Sequence, residues 1–195
     1  AGSPLGQVDI VQIDRTTTLE DLQSYRAIAY AGWNSMNETI ADTLRKYVEQ
    51  GGRLLISMPH LSSRLDREYR EYGVGDLLGK GDLSRLLPLK VTGRKAIAGK
   101  VGFVNKAFGI PADEATAQLA GENLAQIEAG EGVKTLCSDS AGAPVVIRCS
   151  VGKGEVVALL TWEYPGKPSI AKLYANLLNA FVARERGEVF ITEKG

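Results

Sequence analysis

The sequence feature that most constrains the fold is a strand–helix–strand unit between residues 27 and 57. Residues 27–31 (AIAYA) are mostly apolar, as expected of a parallel strand covered on both faces. The helix that follows carries apolar residues at helical spacing: Ile40, Ala41, Leu44, Tyr47 and Val48. Gly51 and Gly52 end this helix, because glycine tolerates the left-handed conformation after a helix terminus. The strand at residues 53–57 (RLLIS) follows at once, so we expect a parallel pair joined by a right-handed crossover.

The elements before this unit extend the same alternation of strand and helix. Residues 8–13 (VDIVQI) are predicted to form a first strand that ends at Asp14. Residues 16–18 are threonines that can cap a short helix. Ser35 and Glu38 have the spacing of a capping box for the main helix. These patterns predict the α/β class.

The C-terminal third predicts a β-meander followed by a closing helix. Its strands fall at residues 133–137, 144–149 and 155–160, with glycines in both turns. Pro168 then opens a helix with one apolar face. In this register Cys137 lies opposite Val146, and Cys149 lies about 10 Å further along the strand. A disulfide needs Cα atoms within about 7 Å, so both cysteines are predicted to be free thiols.

Composition excludes several kinds of site. The chain has 195 residues, with 23 basic and 23 acidic side chains, so its net charge gives no argument for nucleic acid or membrane partners. No apolar run approaches the roughly 20 residues of a membrane span. One histidine and two cysteines give no zinc-site spacing, and the turn at residues 152–154 (GKG) lacks the spacing of a phosphate loop. We therefore predict no cofactor and no metal.

The middle of the chain and its two ends are less regular. Residues 58–80 are rich in charge, which favours a solvated surface loop. Short strands are expected between residues 90 and 136, including 102–104 and 117–119. Residues 1–7 lead directly into a strand, and residues 188–192 (EVFIT) form a strand-like run at the other end. We expect residues 1–195 to be one domain and a piece of a longer protein.

Several of these pieces, in this order, resemble the β-galactosidase trimerisation domain of family 42 glycoside hydrolases. More broadly, they resemble the class I glutamine-amidotransferase-like fold. The matching stretches are VDIVQID, YRAIAYAGWNSMNETIADTLRKYVEQGGRLLIS, GDLSRLL and GAPVVIRCSVGKGEVVALLTWEYPG. The resemblance implies a flavodoxin-like three-layer sandwich with a mostly parallel sheet, a C-terminal β-meander and a closing helix. In that family a strand and a helix normally precede the stretch that matches VDIV.

The resemblance also bears on catalysis. An active amidotransferase carries a cysteine directly after the strand that matches residues 53–57, and a His-x-Glu pair later in the chain. This sequence has Met58 and Pro59 after the strand, and His60 is its only histidine. The resemblance therefore implies a domain attached to a carbohydrate-active barrel, with no catalytic residues of its own.

Polar and aromatic residues follow several predicted strands, and we call them the rim residues: Asp14, Trp33, Asn34, His60, Trp162, Glu163 and Tyr164. Open α/β sheets bind ligands beyond the carboxyl ends of their strands, which is where these residues are expected. One interpretation is a surface that docks a partner domain or contacts a sugar, since large aromatic side chains anchor interfaces. The other is that the tryptophans and His60 belong to the core.

Three functions remain open from the sequence. The first is a non-catalytic accessory and oligomerisation domain that packs against the catalytic barrel of a parent glycoside hydrolase. The second is an amidotransferase-like hydrolase with a serine nucleophile, Ser57 or Ser62, near His60. The third is a stand-alone sugar-binding module, which would present exposed coplanar aromatic rings. The expected partners are the catalytic domain of the same protein, a second copy of the chain, or carbohydrate.

Overall fold

The computed structural model describes residues 8–31, 36–64, 72–104 and 117–183. Three α-helices lie in these ranges: α1 (Leu19–Gln23), α2 (Glu38–Glu49) and α3 (Pro168–Ala183). The strands are β1 (Ala27–Ala29), β2 (Arg53–Ser57), β3 (Leu89–Ala96), β4 (Lys100–Phe103), β5 (Ala117–Gln118), β6 (Asn123–Ala129), β7 (Lys134–Asp139), β8 (Pro144–Val151) and β9 (Gly154–Leu159). Short 3-10 turns occupy Met58–Leu61, Val74–Asp76 and Leu78–Gly81. Within the described ranges, no helix is long and apolar enough to cross a bilayer.

The main sheet is mixed, and the prediction of a mostly parallel sheet was wrong. Its strand order is β1-β2-β9-β8-β7-β4-β5. Only β1 with β2 and β2 with β9 run parallel, whereas the other four neighbouring pairs run antiparallel. The reason is the meander: short turns between β7, β8 and β9 reverse the chain, and short turns connect only antiparallel neighbours. Strands β3 and β6 form a separate two-stranded sheet.

Helices cover both faces of the parallel part of this sheet. Residues in register on neighbouring strands point to the same face, so Arg53 of β2 shares a face with Glu155 of β9. On that face Arg53 donates a 3.0 Å hydrogen bond to the carbonyl oxygen of Phe181, near the end of α3. Cys149 points to the other face, where the charge of Arg45 in α2 acts on its thiol. Helices α2 and α3 therefore lie on opposite sides of the sheet.

The helix α2 follows the sequence pattern closely. All five residues of its predicted apolar face are buried: Ile40, Ala41, Leu44, Tyr47 and Val48. Its N-cap is Asn37, whose side chain accepts a 3.0 Å hydrogen bond from the backbone N–H of Ile40. The predicted cap, Ser35, lies outside the described residues. At the other end Gly51 has φ +116°, as predicted for a glycine that terminates a helix.

The first predicted strand is absent. Residues 8–13 have no strand assignment, and Ile10 is 99% exposed. Ile13, by contrast, is buried in the hydrophobic core. An apolar alternating run forms a strand only where a neighbouring strand accepts its backbone hydrogen bonds, and no described strand does so here.

The segment after β2 also differs from the prediction of a solvated loop. Met58, Leu61, Leu77 and Leu78 are all at most 2% exposed. Residues 65–71 lie outside the described part of the chain. This stretch is rich in charged residues, but it has apolar residues at both of its ends. These apolar residues extend the core beyond the sheet.

The two cysteines are free and buried, and Cys137 pairs with Val146 as predicted from the turn. Burial raises the pKa of Cys137 to about 12. Burial likewise raises the pKa of Cys149 to about 11, against smaller opposing effects of the hydrogen bond to Val156 and the charge of Arg45. Neither thiol is ionised near neutral pH, and the thiolate is the reactive form.

We expect both thiols to react with a thiol reagent such as DTNB only as fast as the protein unfolds. The native protein at pH 8 should show no rapid phase, and the unreduced protein in denaturant should titrate two thiols. A single thiol, or none, in the denatured and unreduced sample would show that the cysteines are oxidised. Rapid labelling of the native protein would show that the core opens locally around one of them.

Candidate functional site

The carboxyl ends of the three parallel strands lie at one edge of the sheet, and aromatic residues gather there. Tyr30 follows β1, His60 follows β2, and Tyr164 follows β9. The His60 ring centroid lies 5.9 Å from that of Tyr30 and 5.5 Å from that of Tyr164, both in edge-on geometry. Parallel strands that end on one side of a sheet produce this convergence. Tyr30 was not predicted as part of the group, because its sequence context is that of a buried strand.

The imidazole of His60 also contacts the last residue of β2. The Ser57 hydroxyl oxygen lies 2.8 Å from His60 Nδ1. The 3-10 turn Met58–Leu61 brings the two together, because residues i and i+3 lie above one another in such a turn. Ser57 is fully buried and His60 is 1% exposed. The pair therefore has the contact of a nucleophile and its base, inside the core rather than in an open cleft.

Beside this pair lies the buried hydroxyl of Tyr30. Tyr30 is 2% exposed, and its hydroxyl oxygen makes no hydrogen bond to any residue that the structure describes. Burial raises the pKa of Tyr30 to about 12, so the phenol stays neutral at physiological pH. The carboxyl end of the sheet therefore carries a cluster of Tyr30, Ser57, His60 and Tyr164, of which the first three are buried.

Trp162 forms a second group of contacts at this end of β9. Its indole stacks on the ring of Tyr72, with centroids 5.1 Å apart and planes 7° apart. The Trp162 Nε1–H donates to the carbonyl oxygen of Tyr72 at 3.0 Å, and the Tyr72 hydroxyl donates to the carbonyl oxygen of Trp162. The guanidinium of Arg94 lies 4.8 Å from the indole and also donates to the Tyr72 carbonyl.

This arrangement joins the two sheets. Arg94 belongs to β3 of the small sheet, whereas Trp162 follows β9 of the main sheet. Trp162 is 3% exposed, and burial raises the pKa of Tyr72 far above its usual range. Sequence analysis missed Tyr72 and Arg94, because a charged, non-periodic segment gives no signal of a partner 90 residues away.

The remaining rim residues are polar and lie nearer the surface. Glu163 accepts a 3.2 Å hydrogen bond from the Asn123 side chain and lies 3.8 Å from the Lys167 ammonium. Lys167 also forms a 2.6 Å ion pair with Glu122. Asp14 is exposed, and hydrogen bonds from Thr16 lower the pKa of its carboxyl. Trp33 and Asn34 lie outside the described residues.

Among the rim residues, His60 contacts Tyr164, Trp162 stacks on Tyr72, and Glu163 accepts a hydrogen bond from Asn123. The charges of Tyr164 and Glu163 also raise the pKa of Tyr72. In the described ranges, no three His, Cys, Asp or Glu side chains are placed to hold a metal ion. Whether the rim residues bind a partner or a sugar remains a prediction.

The chain has the fold of a mixed α/β sheet that recurs in much larger enzymes. No protein-family model matches the sequence, and no curated protein matches it. Among solved structures, the β-galactosidase of Rahnella sp. R3 is similar over 89% of this chain and 24% of its own, with 16% identity and a TM-score of 0.57. The β-galactosidase of Bacillus circulans sp. alkalophilus is similar over 89% and 24%, with 15% identity and a TM-score of 0.52.

A smaller protein shows the same architecture. The mmIFT52 N-terminal domain is similar over 92% of this chain and 84% of its own, with 15% identity and a TM-score of 0.57. The chain thus spans about a quarter of the β-galactosidases but most of this isolated domain. At these identities the likeness establishes a shared fold.

Proposed function

We propose that this chain is a non-catalytic accessory domain of a larger carbohydrate-active enzyme. It packs against a catalytic barrel of the parent protein and contributes to the oligomeric assembly. The similarity to two β-galactosidases, each matched over only about a quarter of its length, supports this role. The domain corresponds to residues 1–195 and resembles an amidotransferase fold without its nucleophile.

The observation that carries the proposal is the burial of the turn that follows β2. Enzymes with open α/β sheets often place a nucleophile on the turn after a strand, exposed at the top of the sheet. Here that turn places Met58 and His60 in the core, each 1% exposed. A substrate would have to displace core side chains to reach them, so the turn stabilises the fold instead of presenting a reactive group.

One observation favours the alternative of a serine hydrolase. The 2.8 Å contact between Ser57 Oγ and His60 Nδ1 is the geometry that activates a serine. In that mechanism the oxygen attacks a carbonyl carbon while its proton passes to the imidazole, and the leaving group later takes that proton. Burial of both residues opposes this reading, because the attacking oxygen has no access to solvent.

The alternative of a free-standing sugar-binding module has less support. The coplanar aromatic rings in the described ranges are those of Tyr72 and Trp162, and they stack on each other. The indole is 3% exposed and also lies against the Arg94 guanidinium. A sugar-binding platform needs an open aromatic face, which Trp162 does not offer.

Two assays test the accessory role against the hydrolase. The purified chain should show no turnover of p-nitrophenyl glycosides or glutamine, and no labelling by a fluorophosphonate probe. Ser57→Ala should leave this result unchanged and lower the free energy of unfolding by about 1–3 kcal/mol, since it removes a buried partner of His60. Turnover or labelling that disappears in Ser57→Ala would establish the hydrolase instead.

The parent enzyme tests the assembly role. We expect the open reading frame that contains these residues to encode a carbohydrate-active barrel. Deleting residues 1–195 from that protein should lower its oligomeric state in light scattering while the barrel remains folded. An unchanged oligomer, or a reading frame with no carbohydrate-active domain, would contradict the proposal.

A further inference from the structure

A cleft opens at the edge of the sheet opposite to the rim residues, and we call it the amino-edge cleft. It has a volume of about 370 Å³ and lies where α1 and α2 end and where β1 and β2 begin. The described residues that line it fall within 23–26 and 47–53. Ligand pockets in proteins measure roughly 300–1,000 Å³, so this cleft has room for a small molecule.

Hydrogen bonds between lining residues hold the amino-edge cleft in shape. Gln23 Nε2 donates to Gln50 Oε1 at 2.7 Å, which ties the end of α1 to the residue after α2. The Tyr47 hydroxyl donates to the carbonyl oxygen of Tyr25 at 3.0 Å. Tyr47 also packs directly on Gly52, where an added Cβ atom would lie 2.3 Å from the tyrosine ring. The cleft is therefore preformed, as small-molecule sites usually are.

The charges around the cleft favour an uncharged ligand. Arg26 is exposed and lines the cleft, so it brings a positive charge to its border. The other lining arginine, Arg53, forms a 2.8 Å ion pair with Glu155 and donates to the carbonyl oxygen of Phe181. The carboxyl end of α2 carries a partial negative charge of about half an electron, which opposes the charge of Arg26. Neither an anion nor a cation is therefore strongly favoured.

The polar groups of the lining suit a ligand with several hydroxyl groups. A side-chain amide offers both an acceptor oxygen and an N–H₂ donor, and the bond between Gln23 and Gln50 uses only one group of each. Gln23 Oε1 and Gln50 Nε2 lie outside that bond and supply an acceptor and a donor. Two tyrosines, Tyr25 and Tyr47, add apolar surface to the lining. A compact molecule with hydroxyl groups and apolar C–H faces matches this combination.

We propose that the amino-edge cleft binds a neutral monosaccharide unit. Gln23 and Gln50 exchange hydrogen bonds with its hydroxyl groups, Arg26 donates to one of its oxygens, and Tyr25 packs against its C–H surface. The cleft differs from the aromatic platform considered above, because its walls surround the ligand. This inference goes beyond the accessory role and does not depend on it, since the isolated chain is enough to test it.

An NMR titration of the full chain with D-galactose tests the site. The backbone amides of Gly51 and Gly52 and the side-chain amides of Gln23 and Gln50 should shift together along one saturating curve. For a single sugar unit in a half-open cleft we expect a Kd of about 1–10 mM. The backbone amide of Ser57 lies at the other end of β2 and should not shift.

Two substitutions with matched controls identify the contacts. Gln50→Ala and Arg26→Ala should each weaken the binding of galactose about tenfold, because each removes a hydrogen-bonding side chain from the lining. Gln12→Ala and Arg15→Ala change exposed residues of the same types outside the cleft and should bind like the unmodified chain. Circular dichroism melts of all four variants show whether each one folds.

The proposal would be overturned by any of four results. Unsaturated shifts at about 100 mM galactose would show that the cleft holds no sugar. Equal shifts with glycerol would show an adventitious polyol only. Tighter binding of galacturonate than of galactose would show that the cleft selects an anion. Unchanged affinity in both Gln50→Ala and Arg26→Ala would show that the sugar binds to another surface.

Discussion

Replacing Trp162 with alanine should lower the free energy of unfolding by about 3–5 kcal/mol, the usual cost of truncating a buried aromatic side chain. The indole is 3% exposed, stacks on Tyr72, and lies against the guanidinium of Arg94. Its removal leaves a cavity between the two sheets and ends the hydrogen bond from Nε1 to the Tyr72 carbonyl. In a thermal melt the midpoint should fall by roughly 6–20 °C for a chain of this size.

The same measurement separates the two interpretations of Trp162. A residue at a docking surface would leave the melting temperature of the isolated domain unchanged and would weaken assembly with the parent enzyme. Lys172→Ala, at an exposed position of α3, is the control and should melt like the unmodified chain. If Trp162→Ala melts at the same temperature as this control, Trp162 belongs to a docking surface and not to the core.

Among glycine-to-alanine substitutions in the described chain, Gly154→Ala should lower the free energy of unfolding most. A Cβ at this position would lie 2.1 Å from the carbonyl oxygen of Gly52 and 2.2 Å from that of Val48. Both are backbone atoms, one in the last turn of α2 and the other directly before β2, so neither can rotate away as a side-chain tip could. Overpacking commonly costs about 1–3 kcal/mol, and we expect at least the upper end of that range here.

A matched glycine provides the control for this prediction. A Cβ added at Gly166 has no heavy atom within 4 Å, so Gly166→Ala should change the free energy of unfolding by less than about 0.5 kcal/mol. Urea denaturation of both variants, followed by circular dichroism, gives the comparison. Equal stability of the two would show that the turn between β8 and β9 does not press against α2 as closely as described.

Local patterns predicted the elements that are stabilised by their own periodicity. The buried face of α2, the strand β2 and the start of α3 at Pro168 all follow from apolar spacing, glycine and proline. The pairing of Cys137 with Val146 followed from the length of one turn. In each case the contacts that decide the structure lie within a few residues of one another.

Long-range arrangement was less predictable. The sheet is mixed and not mostly parallel, because the short turns around β8 reverse the chain and β4 and β5 add further antiparallel pairs. Residues 8–13 have the alternation of a strand, but alternation does not supply the neighbour that a strand requires. At the candidate site, the sequence placed His60 and Tyr164 after two different strands but did not predict the contact between their rings. The contacts of Tyr72 and Arg94 with Trp162 could not be predicted, because no pattern in the neighbouring sequence indicates them.

Strand β9 pairs with one neighbour that is close in sequence and with one that is distant. This strand joins β8 through a tight turn, whereas its parallel partner β2 lies 102 residues away, as Arg53 and Glu155 show. Closing the short loop costs less chain entropy than closing the long one, so we expect the β8–β9 hairpin to form before β2 docks on it. During synthesis the N-terminal half therefore emerges from the ribosome with one side of β2 unpaired. That edge stays available to chaperones, or to other nascent chains, until residues 154–159 have been translated.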